Sequence, residues 1–315
     1  MKTFRILLLC ALLLAACDSP KATSSKPTVP ATPPPSPSAT PVPPTATFTA
    51  IPPTKTPAPT ATSAPRFAAD PQRIEFESAD GTKLVGYYYP AAVDPAPAVV
   101  LLHWVGGSNC EWLAVNLVQW LQNRFTPEGV AANPACANAE IIFTLAPSEY
   151  PAPPEGRSYA VFAFDYRGHG ESGGKMDWLP DEWRADSIAA VQAARALPGV
   201  DPERVATIGA SIGADGAIDG CGEGCLGALS FSPGNYLNMA YKDAVKTLDE
   251  EQKPAWCIAS RKDGESFPTC ESASGEFYTE SLYEEQAHGM AFFDPKFDPK
   301  TTQNIYDFLA TIFGE

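Results

Sequence analysis

Three residues of this chain have the types and the order that covalent catalysis needs: Ser211, Asp263 and His288. A serine hydroxyl becomes a strong nucleophile only when an imidazole accepts its proton and a carboxylate orients that imidazole. The chain has 3 histidines, and only His288 follows Ser211. Where the nucleophile lies in a Gly-x-Ser-x-Gly turn, the order along the chain is serine, then acid, then histidine. The sequence therefore predicts Ser211 as a nucleophile and His288 as its base.

Ser211 belongs to the segment Gly-Ala-Ser-Ile-Gly at residues 209–213. The apolar run 204–208 before it predicts a short buried strand, and the small and apolar residues 210–218 predict a helix. A direct turn from strand to helix holds the serine in strained backbone. The glycines two positions before and after the serine remove side chains that would collide at this crossing. This context is typical of a nucleophile elbow.

Asp263 is the favoured carboxylate because it follows the apolar run 255–260, which predicts a core strand. His288 follows the next predicted strand, 281–284, so both residues come after the ends of strands, where the sites of parallel sheets form. Three other carboxylates remain candidates: Glu265, Asp243 and Asp249. The first lies two positions beyond Asp263, and the other two lie in a segment that is predicted to be a solvated helix.

The remaining patterns predict the elements that position these residues. Residues 73–90 alternate around the turn at 79–81, which predicts an antiparallel hairpin. Core strands are predicted over 98–102, 159–165 and 226–231, and helices over 111–124, 183–197 and 302–313. A Pro-rich excursion, 125–158, separates the first of these helices from the next strand, and its run 141–145 is a candidate for an added strand.

The chain resembles the α/β-hydrolases over nearly all of residues 67–315. Besides the Gly-x-Ser-x-Gly turn, the resemblance rests on Leu-Leu-His-Trp-Val-Gly-Gly at residues 101–107 and on Phe-Asp-Tyr-Arg-Gly-His-Gly-Glu-Ser at residues 164–172. It implies an α/β fold of the α/β-hydrolase type, in which a mostly parallel central sheet carries helices on both faces. It also implies the roles of nucleophile, general base and orienting carboxylate for the three residues named first.

The same resemblance places an oxyanion hole at two loops. One donor would be the backbone N–H of Ile212, and the other an N–H of the loop that follows His103. The family often has glycine directly after that histidine, but this chain has Trp104, so either Trp104 or Val105 is the second donor. The indole of Trp104 is expected either to cover the acyl pocket or to belong to the core. His103 and His169 are expected to hold their loops in place rather than to act in catalysis.

The activity that the resemblance implies is hydrolysis of a carboxylic ester through an acyl-enzyme intermediate, with a small-molecule ester as the substrate. The same residues would serve thioester, amide or lactone cleavage, or acyl transfer. A catalytically inactive binding domain is a further alternative, because a fold does not determine a function. Only a short stretch separates the predicted strand 226–231 from Pro254, which leaves no room for a large cap domain. No cofactor is expected, and the oligomeric state is left open.

The first 16 residues are predicted to be a lipoprotein signal peptide. A short basic start is followed by the apolar run 6–16, which suits a secretory signal and is too short to span a bilayer. Leu-Ala-Ala-Cys at residues 14–17 resembles a bacterial lipobox, in which Cys17 carries the lipid. An ordinary signal peptide with an incidental Cys17 is the alternative. The prediction is an exported protein, anchored by the lipid on the outer face of a bacterial membrane.

Residues 17–66 form a low-complexity linker rich in Pro, Thr and Ser, with 15 of the chain's 33 prolines. Such a composition favours extended polyproline II, which at about 3.1 Å per residue would reach on the order of 100–150 Å. Residues 67–315 then form one hydrolase domain. The formal net charge is −15 and no basic cluster occurs, so a nucleic acid is not an expected partner.

The cysteines indicate disulfide bonds. Of 8 cysteines, Cys10 lies in the predicted signal peptide and Cys17 is the predicted lipid carrier, which leaves an even number in an exported domain. Spacing favours three local pairs among the many connectivities: Cys110–Cys136, Cys221–Cys225 and Cys257–Cys270. The last pair would span the loop that carries Asp263. A zinc site is the competing interpretation, but no Cys-x-x-Cys pair occurs and histidines are scarce, so no metal is expected.

Overall fold

The structure is a computed structural model that describes residues 67–124, 132–153 and 156–314. The predicted signal peptide, the lipidation site Cys17 and the linker lie outside the described residues. Among the described helices, none is long and apolar enough to cross a membrane.

A single eight-stranded sheet runs through the domain, with the strand order β1-β2-β4-β3-β5-β6-β7-β8. The pairings β1–β2 and β2–β4 are antiparallel, and every other pairing is parallel. The strands are β1 (Gln72–Glu77), β2 (Lys83–Tyr89), β3 (Ala96–Leu102), β4 (Ala160–Asp165), β5 (Val200–Ala210), β6 (Cys225–Phe231), β7 (Ala255–Ser260) and β8 (Tyr278–Tyr283). The predicted hairpin is therefore present as β1 and β2.

Helices cover both faces of this sheet. They are α1 (Cys110–Ala114), α2 (Leu117–Gln122), α3 (Pro180–Arg195), α4 (Ile212–Gly220), α5 (Tyr241–Glu250), α6 (Ser266–Ser272) and α7 (Thr301–Phe313). The central strand β3 shows why both faces must be covered, because all of its residues are buried. Val99 and Leu101 belong to the apolar cluster that includes α2 and α7, whereas Val100 and Leu102 belong to the cluster with α3. A strand buried on both faces is typical of a parallel sheet.

The structure corrects two expectations about the segment that follows β3. The single helix predicted over 111–124 is two short helices, because Asn116 between them has a φ of 58°. Asparagine tolerates this left-handed conformation, and its side-chain amide donates to the carbonyl oxygen of Leu145 at 2.6 Å. The run 141–145 forms no strand. It is tied to α1 and α2 through Leu145 and leaves Ile142 60% exposed.

Candidate active site

Ser211 lies at the turn between β5 and α4 in strained backbone, with φ 55° and ψ −118°. A Cβ added to Gly209 would lie 1.8 Å from the carbonyl oxygen of Gly213, and one added to Gly213 would lie 2.2 Å from that of Leu102. Only glycine fits at these two positions. The N–H of Ser211 still donates to the carbonyl oxygen of Phe231 at 2.8 Å, so the serine is anchored to the neighbouring strand β6.

A continuous line of hydrogen bonds joins the three residues that the sequence predicted to meet. His288 Nε2 lies 3.0 Å from Ser211 Oγ, and His288 Nδ1 lies 2.6 Å from Asp263 Oδ2. Because the carboxylate can only accept, Nδ1 carries the proton and Nε2 presents its lone pair to the serine hydroxyl. Ser211 is 5% exposed, whereas the side chain of His288 is 43% exposed. The arrangement can move a proton from a hydroxyl to an imidazole at a site that is open beside the histidine.

The loop between β7 and α6 holds Asp263 as a carboxylate. Its Oδ1 accepts hydrogen bonds from the N–H groups of Glu265 and Ser266, both at 3.3 Å. Burial raises the pKa of Asp263, but the hydrogen bonds from His288 and Ser266 outweigh this and leave the pKa below its usual value. Asp263 is therefore ionised at neutral pH.

The three alternative carboxylates lie elsewhere. Within the described residues, none of them forms a hydrogen bond to His288. Glu265 is exposed and contributes its backbone N–H to Asp263, and Asp243 is exposed on α5. Asp249 accepts the N–H of Phe277 at 2.7 Å, which joins α5 to the start of β8.

Two buried serines that the sequence did not single out support the loop of His288. Ser232, fully buried and with a φ of 58°, accepts a hydrogen bond from the N–H of Gly289 at 2.9 Å. Ser260 donates to the carbonyl oxygen of Glu285 at 2.6 Å. Each of the two serines lies at the carboxyl end of a strand that neighbours the site. That position is the signal by which they could have been found, although serine at a strand end is common.

Free backbone donors lie beside Ser211. Helix α4 begins with Ile212, and the close approach of Gly213 to the carbonyl oxygens of Leu102 and His103 brings the loop after β3 against this helix end. In the part of the chain that the structure describes, no acceptor faces the N–H of Ile212, Trp104 or Val105. The next two N–H groups of the loop are already used, one by His169 and one by the carbonyl oxygen of Trp104. The choice between Trp104 and Val105 therefore stays as the sequence left it.

Two histidines connect the loops around this end of the sheet. His103 Nδ1 donates to the carbonyl oxygen of Trp104 at 2.7 Å, and Nε2 accepts from the N–H of Tyr166 at 3.0 Å. Burial and the neighbouring His169 lower the pKa of His103 to about 4, so it is neutral. His169 Nε2 accepts from the N–H of Gly106 at 3.0 Å. Both residues have the structural contacts that the sequence analysis expected of them.

Trp104 has the contacts of a core residue. It is half-buried and packs against the apolar cluster that includes Trp112 and Phe293. A Cβ on Gly107 would lie 2.7 Å from its indole nitrogen, so the ring rests on its own loop.

The structure joins the three cysteine pairs that spacing favoured: Cys110–Cys136, Cys221–Cys225 and Cys257–Cys270. The last disulfide connects β7 to α6 and encloses the loop of Asp263. Across residues 67–124, 132–153 and 156–314, no three His, Cys, Asp or Glu side chains are grouped as metal ligands would be.

The mostly parallel sheet, the order of its strands and the serine at a strained strand-to-helix turn define an α/β-hydrolase fold. The solved structures that match it include an esterase of Pyrococcus furiosus, Pf2001, with a TM-score of 0.54 and 20% identity over 77% of this chain and 93% of that one. The α/β-hydrolase GrgF of a Penicillium species matches with a TM-score of 0.54 and 12% identity over 78% of this chain and 99% of its own. At these identities the likeness is one of fold.

Sequence comparison adds a more limited likeness. Residues of this chain are 28% identical over 157 positions to the uncharacterized protein YfhR of Escherichia coli, which covers 49% of this chain and 42% of YfhR. The matched region is thus less than half of that relative's length. No protein-family model matches the chain.

Proposed function

We propose that this protein is a serine hydrolase that cleaves carboxylic esters through an acyl-enzyme intermediate. The observation that carries the proposal is the hydrogen-bonded line from Ser211 through His288 to Asp263, on a turn that strains the serine backbone. A strained backbone persists only where the surrounding structure maintains it, and such sites are concentrated at catalytic positions.

The proposed reaction has two stages. Ser211 Oγ attacks the ester carbonyl carbon while His288 Nε2 takes the hydroxyl proton, and the carbonyl oxygen becomes an oxyanion that the N–H of Ile212 and a second loop N–H stabilise. His288 then gives the proton to the leaving alkoxide, which releases the alcohol and leaves an ester between the acyl group and Ser211. In the second stage His288 deprotonates a water molecule, which attacks the acyl carbon. The carboxylic acid leaves and Ser211 recovers its proton. The ionised Asp263 stabilises the imidazolium that forms in both stages.

Esters are favoured over amides as substrates for two reasons. An alkoxide needs less assistance to leave than an amine does, so an open site suffices. Among the structures of similar fold, Pf2001 is described as an esterase, and the match extends over nearly all of its chain. The match to the acylaminoacyl peptidase of Pyrococcus horikoshii extends over 41% of that chain. Thioester and lactone cleavage would use the same groups.

A fluorophosphonate probe tests the nucleophile, because it reacts only with an activated serine. We expect the probe to label the wild-type protein and to fail on Ser211→Ala. Ser281→Ala, which changes a half-buried serine on β8, is the matched control and should be labelled like the wild type. Labelling that persists in Ser211→Ala would refute the assignment. A wild-type protein that is folded but unlabelled, and inactive on a panel of p-nitrophenyl esters, would favour the inactive binding domain instead.

We further propose that the mature protein begins at a lipid-modified Cys17 and acts outside the cytoplasm. The lipobox-like residues 14–17 support this, and disulfide bonds are typical of exported proteins. The wild-type protein should partition into the detergent phase of an extract, and Cys17→Ser should abolish this partition or block processing. A soluble mature form whose unmodified N-terminus lies beyond residue 17 would contradict the proposal.

A further inference from the structure

Two large apolar side chains face solvent at the end of the sheet that carries Ser211. Met176 is 56% exposed and Trp178 is 58% exposed. Both lie in the loop between β4 and α3, which leaves the sheet at the carboxyl end of β4. Since β4, β3 and β5 are parallel, this is also the end at which β5 turns into Ser211.

Trp178 is held in a defined orientation although it is exposed. Its ring lies 5.3 Å from that of Trp183, at an interplanar angle of 80°, and 6.2 Å from that of Tyr236, at 86°. Trp183 is 1% exposed and anchors the contact in the core, whereas Tyr236 is half-buried in the loop after β6. Trp178 and Tyr236 are called the aromatic patch below. Isolated exposed apolar side chains are common, but an exposed indole that two neighbouring rings hold in one orientation is already ordered for binding a ligand.

One side of the aromatic patch is tied to the helix that begins after Ser211. The carboxylate of Asp215, one turn along α4, accepts hydrogen bonds from the N–H groups of Gly234 and Tyr236. Tyr236 also packs against the buried cluster that contains Ile212, the proposed oxyanion donor. The loop of Tyr236 is therefore held against the first turn after the nucleophile.

The aromatic patch also borders the oxyanion loop and the acid loop. Trp183 lies 6.1 Å from the ring of His169, whose Nε2 holds the N–H of Gly106. On the other side, Asn235, next to Tyr236, donates from Nδ2 to Thr269 Oγ1 at 3.2 Å, which joins the loop of Tyr236 to the helix that follows the acid loop. Tyr236 and Val105 of the oxyanion loop thus pack against the same buried cluster, which contains Ile212 and Trp183.

We propose that the aromatic patch is a specificity subsite that binds a planar apolar group of the ester substrate, next to the bond that is cleaved. The inference rests on the proposed function. Two aromatic rings are suited to a flat apolar group, because such groups stack on indole and phenol rings with little loss of side-chain entropy. The aromatic group can belong to the acyl half or the alcohol half of the ester. Substrates that carry the ring in only one half distinguish the two cases.

Kinetics with three esters test the subsite: methyl phenylacetate carries its ring in the acyl half, benzyl acetate in the alcohol half, and vinyl acetate has no ring. We expect Trp178→Ala to raise KM about fivefold to tenfold for one of the two aromatic esters, the size of one lost aromatic contact. The kcat for that ester and the KM for vinyl acetate should not change, because the patch binds substrate and transition state alike. Trp178→Phe should restore most of the affinity. Ile142→Ala, which truncates an equally exposed side chain elsewhere, should leave every KM unchanged.

A binding measurement separates this inference from the proposed function. In Ser211→Ala, which cannot turn over, benzyl acetate or methyl phenylacetate should change the tryptophan fluorescence, and Ser211→Ala/Trp178→Ala should lose this change and bind at least about fivefold more weakly. If the wild-type protein is not labelled by the fluorophosphonate probe but binds the aromatic esters through Trp178, the proposed hydrolase activity is wrong and the proposed subsite is supported. The subsite would be refuted if Ser211→Ala and Ser211→Ala/Trp178→Ala bound both aromatic esters with equal affinity and if Trp178→Ala left the KM for each aromatic ester unchanged relative to that for vinyl acetate. The proposed hydrolase activity would not be affected by that result.

Discussion

Asp263 and Glu265 are two positions apart and differ completely in their surroundings. Asp263 is 9% exposed and accepts hydrogen bonds from His288 and from two backbone N–H groups, whereas Glu265 is exposed. An ionised group that is buried and fully hydrogen-bonded can set the orientation and the proton position of its partner. An exposed carboxylate is screened by water and cannot.

This difference leads to a paired prediction. Asp263→Asn keeps a hydrogen-bonding group but favours the wrong imidazole tautomer, so we expect kcat to fall by as much as about 10⁴-fold while the fold is retained. Glu265→Gln should change kcat by less than about threefold, as expected for an exposed charge. Ester hydrolysis measures both, and circular dichroism checks that both variants fold. If Glu265→Gln were the inactive variant, the acid would have been assigned two residues too early.

At the scale of elements, the ends of β6 and β7 position the histidine loop. His288 follows β8, and its loop is joined to the end of β6 by the hydrogen bond from the N–H of Gly289 to Ser232. The backbone of Ser232 has a φ of 58°, a conformation that is rare outside glycine and asparagine. A residue held in this way acts on the reaction through the position of the imidazole.

We expect Ser232→Ala to lower kcat roughly tenfold, because the N–H of Gly289 loses its acceptor and the His288 loop loses its anchor. KM should change little. The matched control is Ser230→Ala on β6, which removes the bond from another fully buried serine to the carbonyl oxygen of Ala214. Urea unfolding should show that both variants lose about 1 kcal/mol of stability. An equal loss of kcat in the two variants would mean that Ser232 only contributes to stability.

For the whole molecule, a buried and unpartnered carboxyl group makes stability depend on pH. Glu111 is 2% exposed, and its Oε2 has no hydrogen-bond partner among the described residues. Burial raises the pKa of Glu111 to about 7, because the charged form is desolvated. In the unfolded chain the pKa of the same group is about 4.3. The folded state therefore binds the proton of Glu111 more tightly than the unfolded state does. As pH rises from about 4 to about 7, the free energy of unfolding falls because the buried carboxyl group must ionise.

Glu111→Gln removes this loss of stability. We expect the variant to be as stable as the wild type near pH 4, to become more stable as pH rises, and to reach a constant advantage above about pH 7, with about 4 kcal/mol as the upper limit. Thermal unfolding between pH 4 and pH 8 measures the difference. Glu276→Gln, at an exposed position, is the control and should follow the wild type throughout. An advantage that is already complete at pH 4 would show that charge is not its cause.

Short-range patterns in the sequence determined most of the sheet and the order of the site residues. Fully buried strands such as β3 and β4 are local apolar runs, which are visible without a fold. Gly209 is required by the carbonyl oxygen of Gly213 in the same turn, whereas Gly213 is required by the carbonyl oxygen of Leu102 on a strand distant in sequence. The α/β-hydrolase fold, which the resemblance of three motifs implied, was predicted correctly. The order of serine, acid and histidine is the one that accompanies a Gly-x-Ser-x-Gly turn, and the base was identified because a single histidine follows Ser211.

Contacts between distant segments decided the rest, and only the tertiary structure contains them. The break at Asn116 depends on a carbonyl oxygen 29 residues away, and the serine that anchors the histidine loop is 57 residues from its partner. Four carboxylates were retained as candidates for the acid, and among them Asp263 alone hydrogen-bonds to His288, because parallel pairing brings the ends of β7 and β8 together. A side chain's burial and its partners depend on the packing of remote elements, which local propensity does not encode.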